Sequence, residues 1–419
     1  MSKAIGIDFG TSNSTVGYSD RGQPRLVALE NGKPTIPSAV FYNTEEHKTL
    51  FGRDAIQTYV DHCEGRLLRA LKSILGSSLI EEATQIGNKR LSFKSIIGDF
   101  LGHLKATTEN ALQHEIDSVV LGRPVWFVDD SADADLCAQQ QLESAARARG
   151  FKHIQFQYEP IAAALDYEQS ISQEELALII DIGGGTSDFS IVRVSPQRRG
   201  QADRKADVLA NTGVHVGGTD LDRRLSVEQV MPFLGHKTRL RDKPDIDLPI
   251  APFNDLATWH KIAFLYNNKT ASKLNELHAM AARPDLVDRL LKVVKDRNGH
   301  RLAGDIEMAK MVLSQQEQVS VPLNYIEHGL ETTMRKDDFE TAIAPEKDKI
   351  VKQIHECLTQ ANLSAAQIHT LFMTGGTTAI PAIYKACQTA VPDAHIVEGD
   401  KLGSVGTGLA IDAAVKFGR

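Results

Sequence analysis

Short apolar runs of strand length punctuate this chain, and two of them lead into the same kind of turn. Residues 176–180 are apolar and run into Asp181. Then come Gly183, Gly184 and Gly185, Thr186, Asp188, and a second apolar run at 189–194. That order predicts strand, tight turn, strand. Residues 5–16 repeat it: an apolar strand, Asp8, Gly10, the polar trio Thr11, Ser12 and Asn13, then another strand-like run. Asp8 and Gly10 match Asp181 and Gly183. The copies stand near the starts of two halves of the chain, which argues for an internal repeat.

The remaining pattern alternates strands and helices. Short strands are expected at 25–29 and 38–41 around the turn Asn31-Gly32-Lys33-Pro34. Helical spacing predicts 54–75, which includes Lys72 and stops at Gly76, and then 94–115 and 131–149. Residues 118–128 read as a strand broken by Gly122 and Pro124, and 151–157 as another. Pro160 sits in the first turn of a helix opened by Glu159, a carboxylate that either caps that helix or points into a cleft and holds metal-bound water. The polar stretch 195–207 is expected to be an exposed hairpin. At 213–225 the pair Gly217 and Gly218 opens a helix, a geometry that offers N–H donors to an anion. Loop is expected at 240–253 and helix over most of 255–298. On the helix 302–318, Glu307, Lys310 and Ser314 share one face; from the residues alone a local ion pair on a wet surface is the favoured reading. Strands follow at 319–326 and 330–334, a helix at 346–361, and a strand at 370–374 ending in Gly375 and Gly376. The helix 403–415 is rich in glycine, alanine and serine, for a tight helix crossing or for close approach of a ligand.

Composition narrows the class. With 419 residues the chain can build two large lobes, and its 42% apolar and 24% charged content is that of a globular protein. A formal charge of −7 argues against a general nucleic-acid binder. Cys63, Cys137, Cys357 and Cys387 are far apart and read as reduced thiols of a cytoplasmic protein, not a zinc site. No apolar run reaches membrane-spanning length, and a strand begins within three residues of the start, so neither a signal peptide nor a membrane partner is expected.

The two turns carry the chemistry. Consecutive glycines let backbone N–H groups approach a ligand. Carboxylates at both ends of a phosphate-sized turn would repel a bare phosphate, unless a divalent cation with a taste for hard oxygen ligands lies between. The alternative for one turn alone is an ordinary glycine-rich hairpin whose aspartates are turn formers. Neither turn opens a helix, so neither is a Walker-type or dinucleotide-binding loop. Two facing turns would clamp a triphosphate from both sides.

Read in order, the first turn, Lys72, Pro124, the run Glu159-Pro160-Ile161-Ala162-Ala163-Ala164, IIDIGGGTSD, VGGTDLD, the Glu307/Lys310/Ser314 face and MTGGTTAIP resemble the nucleotide-binding domain of the seventy-kilodalton heat-shock chaperones. The resemblance spans nearly the whole chain. It implies an α/β protein of actin-like ATPase fold, with two ribonuclease-H-like lobes around a nucleotide cleft. Lobe I would be 1–171 with an outer subdomain at 37–116, and lobe II 172–402 with an outer subdomain at 222–311. Residues 403–419 would form a helix packing back towards lobe I.

The resemblance also implies roles. Asp8 and Asp181 would hold Mg2+ through water. Gly10, Thr11, Ser12 and Asn13, with Gly183, Gly184, Gly185 and Thr186, would contact the phosphates of ATP or ADP. Lys72 would reach the γ-phosphate or the attacking water, Glu159 and Asp188 would orient water, and Thr186 would lie near the γ-phosphate. Gly217 and Gly218 would flank the phosphates. Glu307, Lys310 and Ser314 would bind ribose and adenine, with Gly375, Gly376 and Ile380 as the opposite wall. Two positions depart from the family pattern: Ala379 and Met311 stand where arginine is usual beside the base. The acidic residue expected before the last helix is Asp400. The leading expectation is a chaperone-like ATPase of low turnover that acts through a protein partner or co-chaperone. It is similar to truncated bacterial members without a peptide-binding domain, and so is not expected to capture unfolded peptides itself. The alternatives are an actin-like filament-forming ATPase and a small-molecule kinase of the same superfamily.

Overall fold

A computed structural model of the chain describes residues 4–128, 131–201, 203–397 and 403–418; Asp400 lies outside them. Two compact units emerge. One comprises Met1–Val214, Lys352–Thr378 and Cys387–Arg419; the other comprises His215–Val351 and Ala379–Ala386.

The first unit is built on two sheets of the same plan. In one, the hairpin Ala4–Phe9 and Asn13–Asp20 continues antiparallel to Gln23–Leu26. On its other side Ala4–Phe9 pairs in parallel with Ser118–Arg123, and that strand with His153–Tyr158. In the other, the hairpin Glu175–Ile182 and Ser187–Val194 continues antiparallel to Val208–Val214. Glu175–Ile182 pairs in parallel with Thr370–Thr374, and that strand with His395–Val397. The repeat read from two turns therefore extends to five strands in each sheet. One sheet falls in the expected lobe I and the other in lobe II, yet both belong to one compact unit.

The packing follows from the apolar runs. Ile5, Ile7 and Phe9 pack with Phe100, Leu101 and Leu104 of the helix Phe93–Leu112 in one cluster. A second cluster joins Val120 of the first sheet, Ile179 and Val192 of the second, and the helices Glu159–Glu168 and Ser404–Phe417. Small residues in Ser404–Phe417 serve a tight crossing: a Cβ on Gly408 would overlap the Ala162 carbonyl. Of the two readings of this helix, close backbone packing is the one seen.

Two expectations are corrected. Helix was expected across 54–75, but the helix is Gly52–Val60, followed by a strand, Gly65–Arg69, and a 3-10 turn, Leu71–Ile74, that carries Lys72. A short apolar run is ambiguous between helix and strand, and here pairing with Ala39–Asn43 decides it. Most of the described residues of 195–207 are exposed, as expected, but the segment forms two 3-10 turns, Pro196–Arg198 and Lys205–Asp207, in place of a hairpin, and it buries Arg204 and Asp207. Arg204 is 3% exposed and donates to both oxygens of the fully buried Glu168 at 2.9 and 2.7 Å. Its Nε bonds Asp207, which also pairs with Arg198 at 2.8 Å. Polar composition signalled exposure, but opposite charges that satisfy one another can be buried.

In the second unit, helices Gly218–Gln229, Ala251–Ala257, Asn268–Met280, Pro284–Lys295 and Gly299–Leu313 bury Leu221, Phe253, Leu274, Leu290 and Leu302 in turn. A two-stranded sheet, Gln318–Pro322 with Glu331–Arg335, completes it. Among the described residues no helix is long and apolar enough to cross a membrane.

Candidate phosphate and metal site

Each of the two matched hairpins places an aspartate one residue before the end of its first strand: Asp8 opposite Thr15, and Asp181 opposite Asp188. The turns that follow meet each other. A Cβ on Gly184 would collide with the Ser12 hydroxyl, so the absence of a side chain is what allows the contact. At Gly185 nothing lies within 4 Å of an added Cβ, so this part of the turn borders open space. Gly375 follows Thr374, the register partner of Asp181, with φ +83°; a Cβ there would come within 2.6 Å of Asp181 Oδ1.

Lys72 and Glu159 complete a charged cluster. Lys72 Nζ lies 2.5 Å from Glu159 Oε1, with both side chains largely buried. Lys72 is therefore not on a solvated face. Gly122 backs onto Glu159, since its Cβ would sit 3.3 Å from Glu159 Cγ. Glu159 begins its helix and does not turn away into solvent.

Electrostatics binds the five groups together. Burial is the main cause lifting Asp8 to about 8; Glu159 and Asp181 add to it, and Lys72 opposes. Burial likewise lifts Asp181 to about 7, with Asp188 and Glu159 adding and Lys72 opposing. Burial acts to lower Lys72, but Glu159, Asp8 and Asp188 together outweigh it, and the ammonium is held above its usual range. Four carboxylates thus face one ammonium in a desolvated site. Such a site favours a divalent cation, and its donors are the hard oxygens that magnesium takes. Among the described residues no three metal-ligating side chains form a cage. Magnesium does not need one, because it keeps waters and takes oxygens from substrate phosphates. Asp8 and Asp181 fit that mode.

Sequence reasoning missed Arg123. Its guanidinium donates to both oxygens of Asp135 at 2.7 Å, and lies over the rings of Phe127 at 5.1 Å and Tyr158 at 5.2 Å. Arg123 follows Gly122, and Tyr158 precedes Glu159, so this clamp anchors the backbone on two sides of the carboxylate. An arginine ending a buried, otherwise mostly apolar strand was the available signal. Ser38 and Thr377 were also missed; each bonds the carbonyl of a turn glycine.

Gly376 follows Gly375 in the first unit, and the second unit holds Gly217, Gly218, Glu307, Lys310, Ser314 and Ile380. Gly217 caps the helix Gly218–Gln229, and its N–H donates to Asp220 at 3.1 Å. Lys310 Nζ lies 2.8 Å from Asp222 Oδ1 and donates to the Gly218 carbonyl at 3.2 Å. This overturns the wet-surface pair with Glu307: Lys310 is largely buried against a neighbouring helix, and Glu307 is exposed. Ser314 donates to the Lys310 carbonyl at 3.0 Å. Ile380 is buried, whereas Ala379 and Met311 are exposed.

Comparison with known proteins agrees with this geometry. The family model described as Hsp70 protein matches residues 4–96, 80–247 and 287–419. The chain is 24% identical to the chaperone protein dnaK1 of Prochlorococcus marinus, across 100% of this chain and 57% of that protein. It is 25% identical to the chaperone protein DnaK of Mycoplasmopsis agalactiae, across 99% of this chain and 59% of that protein. It is also 25% identical to the stromal 70 kDa heat shock-related protein, chloroplastic, of Pisum sativum, across 99% of this chain and 53% of that protein. The chain thus spans little more than half the length of these relatives. With the family pattern matched along most of its length and carried by a doubled hairpin plan, the chain belongs to the Hsp70 family and has its actin-like ATPase fold.

Proposed function

We propose that this chain binds magnesium–ATP at its paired hairpin turns and hydrolyses it slowly, in a chaperone-like cycle read by a protein partner. Members of its family are ATPases that bind ATP and ADP. The observation that carries the reading is the single charged cluster of Asp8, Lys72, Glu159, Asp181 and Asp188 beside two touching glycine turns. Magnesium, when bound, would neutralise phosphate charge. Asp8 and Asp181 would hold it through water. Gly10, Thr11, Ser12, Asn13 and Gly183, Gly184, Gly185 would contact the phosphates. Lys72 would stabilise charge on the γ-phosphate from a position fixed by Glu159. Glu159 and Asp188 would orient the attacking water, with Thr186 near the γ-phosphate. Phosphoryl transfer needs chiefly such positioning and charge neutralisation.

Glu307, Lys310 and Ser314 remain proposed ribose and adenine contacts, with Gly217 and Gly218 at the phosphates and Gly375, Gly376 and Ile380 beside the base. Lys310 would have to share its ammonium with Asp222. Lobe boundaries at 171/172 and a cytoplasmic setting belong to the same proposal. Phosphate release from ATP, followed with magnesium and with excess chelator, tests it. Slow release that needs magnesium supports the reading. Absence of release together with absence of nucleotide binding rejects it.

A further inference from the structure

Each turn has a carbonyl fastened from behind by a hydroxyl from a distant segment. Ser38, 2% exposed, donates its Oγ–H to the Gly10 carbonyl at 2.6 Å, and its backbone N–H donates to the Ser12 carbonyl at 2.9 Å. Its oxygen also lies 2.9 Å from the hydroxyl of the fully buried Ser14. Thr377, 7% exposed, donates its Oγ–H to the Gly183 carbonyl at 2.9 Å. In that same turn the Gly183 N–H donates to the Thr186 carbonyl at 2.9 Å. Gly10 and Gly183 are equivalent positions in the repeat, so the two hydroxyls do the same job in the two sheets.

A trans peptide fixes what this achieves. The carbonyl of one residue and the N–H of the next point in opposite directions from one rigid plane. Fastening the Gly10 carbonyl therefore aims the Thr11 N–H the other way, and fastening the Gly183 carbonyl does the same for Gly184. It also keeps carbonyl oxygens from rotating towards an anion. Glycine turns have wide conformational freedom, and without a fastener both peptide orientations are open to them.

We propose that Ser38 and Thr377 are matched positioning residues that hold the peptide planes after Gly10 and Gly183 in the phosphate-binding orientation. The inference rests on the proposed nucleotide site and adds to it two residues that touch neither metal nor phosphate. Its consequence is selective: a ligand's phosphates should register the loss of either hydroxyl, and its nucleoside should not.

The test uses the full chain with magnesium, titrated calorimetrically with ADP and with adenosine. Thr377→Val keeps the side-chain shape and removes the hydroxyl; Thr377→Ser keeps the hydroxyl and removes the methyl. Ser38→Ala provides the same test in the other sheet. Losing one such hydrogen bond should weaken ADP binding about tenfold in Thr377→Val and in Ser38→Ala. Adenosine binding should stay unchanged, and Thr377→Ser should bind ADP like the parent. If Ser38→Ala does not fold, the Thr377 pair decides. Equal ADP binding by Thr377→Val and the parent overturns the inference and leaves the nucleotide reading standing. So does equal weakening of ADP and adenosine, which would mark a general structural defect. A folded parent that binds no ADP overturns both.

Discussion

Lys72 and Glu159 are 87 residues apart in sequence, and their charged ends meet at 2.5 Å. Each is held in place independently. Lys72 rides a 3-10 turn entered through Ala70 at φ 56°, and Glu159 opens a helix against Gly122. Their contact fixes the ammonium beside Asp8 and Asp181 and limits the repulsion among the carboxylates.

Lys72→Ala should therefore act on turnover more than on binding. Single-turnover hydrolysis should fall by about two to three orders of magnitude, in line with the loss of one charge-stabilising group. Calorimetric affinity for ATP should change far less. A variant that hydrolyses ATP at the parent's rate would remove Lys72 from the mechanism.

Arg123 offers a test of the clamp around Glu159. Arg123→Met leaves Asp135 buried without its guanidinium and should cost about 3 kcal/mol in a denaturant titration. Arg123→Lys should recover little of this, because one ammonium cannot reach Asp135, Gln139 and the Pro124 and Val125 carbonyls together. The double variant Arg123→Met/Asp135→Leu should regain stability over Arg123→Met. Additive losses in the double variant would mean that the two residues act separately.

How much of this was legible in sequence depended on distance along the chain. Asp8 with Gly10, and Asp181 with the three glycines, sit within a few residues of each other, so local pattern exposes a carboxylate beside each glycine turn. Lys72 could not be read that way. Its turn follows a strand whose identity is set by pairing with Ala39–Asn43. Ser38 and Thr377 act through hydroxyl bonds to backbone carbonyls, which leave no trace in residue type. Burial of Arg204 and Asp207 was hidden because Arg204 finds Glu168 36 residues earlier, while composition reports only that charges are present.

The base site should be permissive. A guanidinium stacked on a nucleobase contributes about 1–3 kcal/mol, and Ala379 and Met311 supply none. ATP and GTP should bind with similar, modest affinity in a competition titration. Ala379→Arg should raise affinity for ATP about tenfold. Strong ATP preference in the parent would show that another residue provides the stack.

Stability should also respond to acid through two histidines. Burial is the main cause lowering His103, which stacks on Phe51 at 4.2 Å, and burial likewise lowers His236. A depressed folded value means that the neutral ring is favoured on folding. The stabilisation is therefore complete above the unfolded value of 6.5 and is lost as pH falls through the folded values. Thermal melts of the parent should drop below pH 6.5, and His103→Gln and His236→Gln should each flatten part of that drop. Unchanged slopes in both variants would assign the acid response to other groups.

The central claim is that Asp8 and Asp181 form a magnesium-dependent phosphate site with the two hairpin turns. Calorimetric titration of ADP, with magnesium and with excess chelator, tests it most directly when parent and Asp8→Asn/Asp181→Asn are run side by side. Tight binding by the parent only with magnesium, and loss of that metal requirement in the variant, is the predicted result. Equal binding by the parent with and without magnesium, or an undiminished magnesium effect in the variant, would contradict it.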